Sequence, residues 1–390
     1  MTPLQLHEIN KKIELAIVVG VQLRNTEDAD FHESLEELKE LAASADAKVV
    51  GMVTQKRPSP DSRTFVGTGK VTELKELIAA TNANLVVFDE KLSPAQVRNL
   101  ENELQLKVID RGSLILDIFA KRAHTAEAKI QVELAQLQYL LPRLTRLWTH
   151  WSKQYGGVGT RGPGETQLEV DRREAKTKIA KLRERLDKVG RQRDTQRQRR
   201  MDTYRIALVG YTNAGKSTLF NLLTKAGVWA DNQLFCTLDA VTRYLPLGNQ
   251  QRIVISDTVG FIKKLPHELV ASFASTLDEV RYANLLLVVV DISHTNCADH
   301  YQKTLEVLEL IGAEKVPRLL LLNKSDLVDA AGLPPLDLNF SPARTFVISG
   351  KTQAGIDKLL NFLTDYVDIE TRGLQRNQAN NNGETRNSDR

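Results

Sequence analysis

The sequence predicts an α/β protein: an N-terminal parallel α/β region, a long helical hairpin, and a second parallel-sheet region. Three observations predict it. Over the first 110 residues short β-branched segments alternate with amphipathic ones, the pattern of parallel strands joined by covering helices. From Leu114 to about Arg200 the apolar period is persistently helical, broken by a glycine-dense run. From Tyr204 the alternation of strand and helix resumes.

In the first region the strand segments are Leu15–Val21, Lys48–Val53, Leu85–Phe88 and Lys107–Ile109. Between them Phe31–Ala45, Lys70–Ala80 and Ser93–Leu104 carry apolar residues at three- and four-residue spacing, hence amphipathic helices. Ser93 followed by Pro94 is a helix start, since Ser accepts an orphan amide bond and Pro suits the first turn.

In the middle region Ile130, Leu134, Leu137 and Leu141 form one stripe, which predicts a single long helix from Leu114 to about Leu141, interrupted by Pro142. An aromatic and basic stretch with Trp148, Trp151 and Tyr155 follows, then the run Gly156–Gly164, then a charged helix from Glu165 to about Arg200. Two long helices joined this way read as a hairpin with a glycine-rich tip. Residues 171–200 hold 13 Lys/Arg against 5 Asp/Glu, a net +8 where the whole chain carries +4. Such a face suits a polyanion. The plainer reading is a solvated coiled-coil face with internal Glu–Lys pairs. Open glycine amides beside Arg161 suit phosphates and unstacked bases, so Gly156, Gly157, Gly159, Arg161, Gly162, Gly164, Arg172 and Arg173 are candidate RNA contacts. The tryptophans suit base stacking or an ordinary core.

The last region places strands at Tyr204–Val209, Ile253–Ser256, Leu285–Val290, Leu319–Leu322 and Phe346–Ile348. Beyond Arg372 the tail has almost no apolar residue and is expected to be disordered. The expected domains are therefore 1–112, 113–200 and 201–372, with a tail over 373–390.

Composition narrows the class. Apolar residues at 42% and charged residues at 26% suit a globular chain. The longest aliphatic run, Leu285–Val290, is far short of the roughly 20 residues of a membrane span, and the N-terminus lacks a signal-peptide apolar core. The cytoplasm is the expected location, with peripheral membrane association left open. Cys236 and Cys297 are far apart with no His cluster beside them, so neither a disulfide nor a structural metal is expected. Modest size favours a monomer.

The chemistry lies in the last region. Gly210-Tyr211-Thr212-Asn213-Ala214-Gly215-Lys216-Ser217, followed by Thr218, fits the phosphate-binding loop pattern between an apolar strand and a helix. Its amides can curl around a β-phosphate, Lys216 can reach the β- and γ-oxygens, and Ser217 can ligate Mg²⁺. Asp257-Thr258-Val259-Gly260 ends another strand, offering a carboxylate to the Mg²⁺ shell through water and a glycine amide near the γ-phosphate. Asn323-Lys324-Ser325-Asp326 also ends a strand. There an Asp carboxylate can accept from N1 and N2 of guanine, a pair that adenine lacks, so GTP is selected over ATP. Ser349-Gly350-Lys351 follows the last strand and can offer an amide to guanine O6. Four such elements in this order predict a P-loop (Ras-like) GTPase domain.

This region resembles translation-factor-type GTPases, whose motifs correspond to Gly210–Ser217, Thr237, Asp257–Gly260, Asn323–Asp326 and Ser349–Lys351. The last commonly has Ala where this chain has Gly350. The resemblance implies that Thr237 closes on Mg²⁺ when γ-phosphate is present, and it names Lys216, Thr237 and Gly260 as catalytic. Phe261 stands where Ras-like enzymes carry a water-orienting glutamine, so slow intrinsic hydrolysis is expected. Asn213 resembles the loop asparagine of cation-activated GTPases, making K⁺ a candidate cofactor; an Asn that merely caps the loop is the plainer reading.

The run GGVGTRGPGETQLEVDRR from Gly156, the helix before it, TFVGTGKVTEL at Thr64–Leu74 and VIDR at Val108–Arg111 together resemble the HflX family of ribosome-associated GTPases. That resemblance covers nearly all of residues 12 to 370. It implies binding of the 50S ribosomal subunit near its peptidyl-transferase region and splitting of stalled 70S ribosomes, notably after heat stress. Gly67-Thr68-Gly69-Lys70 is a weak second phosphate-site candidate, for ATP as that family implies, against a plain tight turn or an RNA-phosphate contact.

Overall fold

The computed structural model describes residues 13–143, 167–198, 203–225, 234–235, 240–247, 253–264, 274–328 and 344–370. The chain divides into two compact units, 1–121 with 132–183 and 122–131 with 184–390.

In the first unit, strands β1 (Glu14–Leu23), β2 (Ala47–Arg57), β3 (Leu85–Phe88) and β4 (Lys107–Asp110) form an all-parallel sheet ordered β2-β1-β3-β4. Central β1 is buried continuously from Ala16 to Gln22, as an inner parallel strand covered on both faces must be. Helices α1 (Asp28–Ser44), α2 (Thr68–Thr81) and α3 (Pro94–Leu104) make the crossovers. α1 buries Phe31, Leu35, Leu38 and Leu41, one stripe of a 3.6-residue period. Ser93 caps α3 in a full capping box with Gln96, and Gln105 in the left-handed region ends it.

The VIDR segment supplies two buried charge networks. Asp110 accepts from the Leu92 amide at 3.1 Å, from Arg143 at 2.7 Å and from the Tyr139 hydroxyl. Burial, and then the Asp110 carboxylate, push the Tyr139 phenol well above its ordinary value. Arg111, only 2% exposed, pairs with Asp89 at 2.7 Å and with Glu37.

The single helix expected from Leu114 to Leu141 is two, α4 (Arg111–Arg122) and α5 (Ala126–Leu140), followed by a 3₁₀ turn at Leu141–Arg143. The break has a local cause. The Thr125 hydroxyl accepts from the Ala128 amide at 3.1 Å and so starts a new helix. Beyond the turn, α6 (Gln167–Gln198) buries Ile179 and Leu182, and Lys178 reaches Glu133 of α5 at 2.6 Å. Trp148, Trp151, Tyr155 and the run with Gly156, Gly157, Gly159, Arg161, Gly162 and Gly164 lie outside the described residues.

In the second unit, β5 (Tyr204–Gly210), β6 (Val241–Tyr244), β7 (Ile253–Asp257), β8 (Leu285–Asp291), β9 (Arg318–Asn323) and β10 (Thr345–Val347) form a sheet ordered β10-β9-β8-β5-β7-β6. All pairs are parallel except β6 with β7. β6 is not foreseen by the sequence. It is a half-exposed edge, and such a strand needs no apolar run to mark it. Helices α7 (Lys216–Thr224), α8 (Ala274–Arg281), α9 (Cys297–Leu310) and α10 (356–370) complete the unit. Alternate residues of β5 feed two cores, Ile206 and Leu208 into one with Leu219 and Leu359, Ala207 and Val209 into another with Val280 and Leu308. No helix among the described residues is long and apolar enough to cross a membrane.

Candidate functional site

The site lies at the C-terminal ends of β5, β7, β9 and β10, where open parallel sheets present loops and helix starts to ligands. After β5 the chain turns back on itself. Gly210 takes φ +147°, and a Cβ there would stand 2.2 Å from the Val289 carbonyl oxygen. Gly215 takes φ +92°, with a Cβ position 2.2 Å from Asn323 Nδ2. Only glycine fits either place. Between them Asn213 is exposed and left-handed at φ +59°, a conformation Asn tolerates, and its side chain makes no hydrogen bond among the described residues.

Lys216 opens α7 and is buried, its Nζ donating to the carbonyls of Tyr211 at 2.7 Å and Gly210 at 3.1 Å. Ser217 Oγ donates to Asp257 Oδ2 at 2.6 Å, across from the end of β7. Thr258 is buried, its hydroxyl donating to the Leu208 carbonyl at 2.6 Å, and Val259 beside it is buried too. Gly260 is pressed on the loop: a Cβ would come within 2.8 Å of Thr212 Cα and 2.9 Å of Lys216 Nζ. Phe261 turns its ring into the core shared with Val209 and Val280.

On the far side, Asn323 is almost fully buried and spans two loops. Its Nδ2 donates to the Ala214 carbonyl at 2.8 Å, and its Oδ1 accepts from the Gly350 amide at 2.9 Å. That amide, the expected donor to guanine O6, is engaged by Asn323, so a base would have to share the hydrogen. Lys324 is left-handed at φ +63° and pairs with Asp291 at 2.7 Å. The Ser325 amide donates to the Ile348 carbonyl at 3.2 Å. Asp326 is exposed and accepts from Ser349 Oγ at 2.6 Å. That hydroxyl holds its carboxyl below the ordinary value. The amides of Lys351 and Thr352 turn back to Ser349 Oγ at 3.3 and 3.0 Å. Thr218 is exposed on the first turn of α7, and Thr237 lies outside the described residues.

The arrangement thus joins a buried lysine at a helix N-terminus, a hydroxyl–carboxylate pair of hard oxygen donors, and an ionised Asp at the opposite rim. Family models described as "GTP-binding GTPase N-terminal", "GTP-binding GTPase Middle Region" and "50S ribosome-binding GTPase" match residues 32–120, 122–200 and 205–324. The chain is 46% identical over 360 residues to GTPase HflX of Escherichia coli (strain K12), covering 92% of this chain and 84% of that one. It is 51% identical over 318 residues to GTPase HflX of Alkalihalophilus pseudofirmus, covering 81% and 75%.

The chain belongs to the HflX family.

It is therefore a GTPase. The fold is similar along its length to the crystal structure of the SsGBP and GDP complex, with TM-score 0.51, 25% identity and coverage of 91% of this chain and 99% of that one. P-loop GTPases such as the HflX proteins generally use Mg²⁺ with the nucleotide, and the Ser217–Asp257 oxygen pair fits such an ion. Of the second phosphate-site candidate, the Gly67 amide donates to Gln55 at 2.9 Å and Lys70 pairs with Glu73 at 2.7 Å. Both groups are engaged, as in a plain turn that starts α2. In α6, Arg172 and Arg173 are exposed, as are all nine basic side chains from Arg172 to Arg191. Lys178 and Lys188 pair with Glu133 and Glu184.

Proposed function

We propose that this HflX GTPase binds GTP with Mg²⁺ in the pocket framed by Gly210–Thr218, Asp257–Gly260, Asn323–Asp326 and Ser349–Lys351, and uses it to act on the ribosome. Lys216 holds the β- and γ-phosphates, and Ser217 ligates Mg²⁺ with Asp257 behind a water. Asp326 reads the guanine edge. Thr237 and Gly260 grip the γ-phosphate, so that the GTP state differs from the GDP state in its affinity for the partner. Supporting this is the buried contact of Gly260 with Thr212 and Lys216, which brings the proposed γ-phosphate sensor onto the phosphate loop.

The partner is the 50S subunit, and the outcome is dissociation of stalled 70S ribosomes under stress. The match of residues 205–324 to a 50S ribosome-binding GTPase model supports this, together with the exposed basic face of α6. The hairpin region 113–200 docks on rRNA and the 201–372 domain times it. With Phe261 buried, isolated protein hydrolyses slowly and the ribosome accelerates it by ordering the switch segments.

Sucrose-gradient sedimentation of 70S particles with GTP, a non-hydrolysable analogue or GDP tests the reading. Free subunits with the analogue are expected, and Lys216→Ala abolishes the nucleotide dependence. Intact 70S carrying bound protein would replace splitting by a GTP-gated scaffold.

A further inference from the structure

We propose that Tyr211 is a positioning residue for GTP hydrolysis, strapping the segment after Gly260 onto the phosphate loop. The proposal rests on the pocket assignment above. It starts from a small parallel bridge: the Phe261 amide donates to the Gly210 carbonyl at 3.1 Å, and the Thr212 amide donates to the Phe261 carbonyl at 2.8 Å. Two residues on, the Lys263 amide donates to the Tyr211 hydroxyl at 2.7 Å. The phenol is thus a third rung of the same ladder, supplied by a side chain where the backbones have diverged.

Helix α9 fixes both ends of that rung. The Tyr211 ring lies flat on His300, with centroids 3.8 Å apart and planes 4° apart, and Lys263 Nζ pairs with Asp299 Oδ2 at 2.8 Å. His300 in turn lies against His294, centroids 4.5 Å apart. Tyr211 is 5% exposed and His300 9%. With the segment held this way, Gly260 stays close against Thr212 and Lys216, and moving it off the loop breaks the ladder bonds on its C-terminal side. Its amide is the group aimed at the γ-phosphate, and catalysis by oriented amides depends on holding them in place before the reaction. A chain whose Phe261 points into the core has no glutamine to do the orienting, so backbone placement carries more of the burden.

A buried tyrosine can also be simple packing with a satisfied hydroxyl. Tyr211→Phe separates the two roles, because it keeps the ring and the stack on His300 and removes only the acceptor. Loss of one such bond lowers kcat by about five-fold, with KM for GTP and Kd for GDP within about two-fold of wild type. Asp299→Asn loosens the other end and lowers kcat in the same direction. The double variant falls less than the product of the two, since both act on one segment. Should Tyr211→Phe fail to fold, Asp299→Asn carries the same comparison. Unchanged kcat in these variants, or an equal loss of GTP and GDP affinity, would mean packing alone and overturn the proposal. A wild-type protein that bound no GDP would instead overturn the pocket assignment, and this proposal with it.

Discussion

Ser349 Oγ donates to Asp326 Oδ1 at 2.6 Å, joining the loop after β10 to the loop after β9 at the rim where the base is proposed to sit. The bond has an electrostatic consequence. It is the largest cause of the lowered pKa of Asp326, so the carboxylate stays ionised into the acid range. Guanine recognition needs the ionised form, and affinity is lost only as pH falls through that depressed pKa. Ser349→Ala removes the bond and returns the pKa toward its ordinary value, so the loss begins at a higher pH. Measuring Kd for GDP from about pH 6 down to about pH 3, a window that spans the ordinary carboxylate pKa and the region below it, checks this; coincident pH curves for variant and wild type would contradict it.

Asn323 and Gly215 are matched in shape. A Cβ on Gly215 would fall 2.2 Å from Asn323 Nδ2, which itself holds the Ala214 carbonyl. Gly215→Ala is therefore expected to abolish nucleotide binding, through a left-handed strain and a backbone shift together. Asn323→Ala leaves the Gly350 amide without its acceptor and costs roughly 2–3 kcal/mol of stability, read from urea denaturation. A wild-type midpoint would contradict the bridging role.

Much of this was legible in the sequence, for identifiable reasons. Most parallel strands centre on a short apolar run, and Leu85–Phe88 falls where the run predicts it, whereas β2 continues past its run at Val53 through the polar residues to Arg57. The loop pattern marks Gly210 and Gly215 as the places where the backbone curls, and both take positive φ. What was hidden depended on contacts at a distance. The break between α4 and α5 turns on one hydroxyl, Thr125, inside a continuous apolar stripe. β6 shows no alternation because it buries little. The strap from Tyr211 to Lys263 joins residues 52 positions apart, and no local pattern distinguishes Tyr211 from any other loop residue.

Arg111 tests the first unit. Its guanidinium is 2% exposed between Asp89 and Glu37, so Arg111→Ala strands two buried carboxylates. A loss of about 3–5 kcal/mol is expected, by chemical denaturation of the full chain. A loss under about 1 kcal/mol would mean that the pairs are solvated.

Asn213 tests the monovalent cation. It is exposed, left-handed and makes no hydrogen bond within the described loop, leaving its carbonyl oxygen available to an ion. Faster GTP turnover in KCl than in NaCl at matched ionic strength is expected, with the difference lost in Asn213→Ala. Equal rates in the two salts would remove K⁺ from the mechanism.

One pocket, with Lys216 at its phosphate end and Asp326 at its base end, is proposed to admit guanine nucleotides alone. Calorimetric titration of the full chain with GTP, ATP and xanthosine triphosphate in the presence of Mg²⁺, repeated on Asp326→Asn, measures this most directly. Wild type is expected to bind GTP and refuse ATP, and Asp326→Asn to exchange GTP for the xanthine nucleotide, whose ring carries an oxygen where guanine has its amine. Equal binding of GTP and ATP by the wild type, or a variant that still prefers GTP, would contradict the role of Asp326.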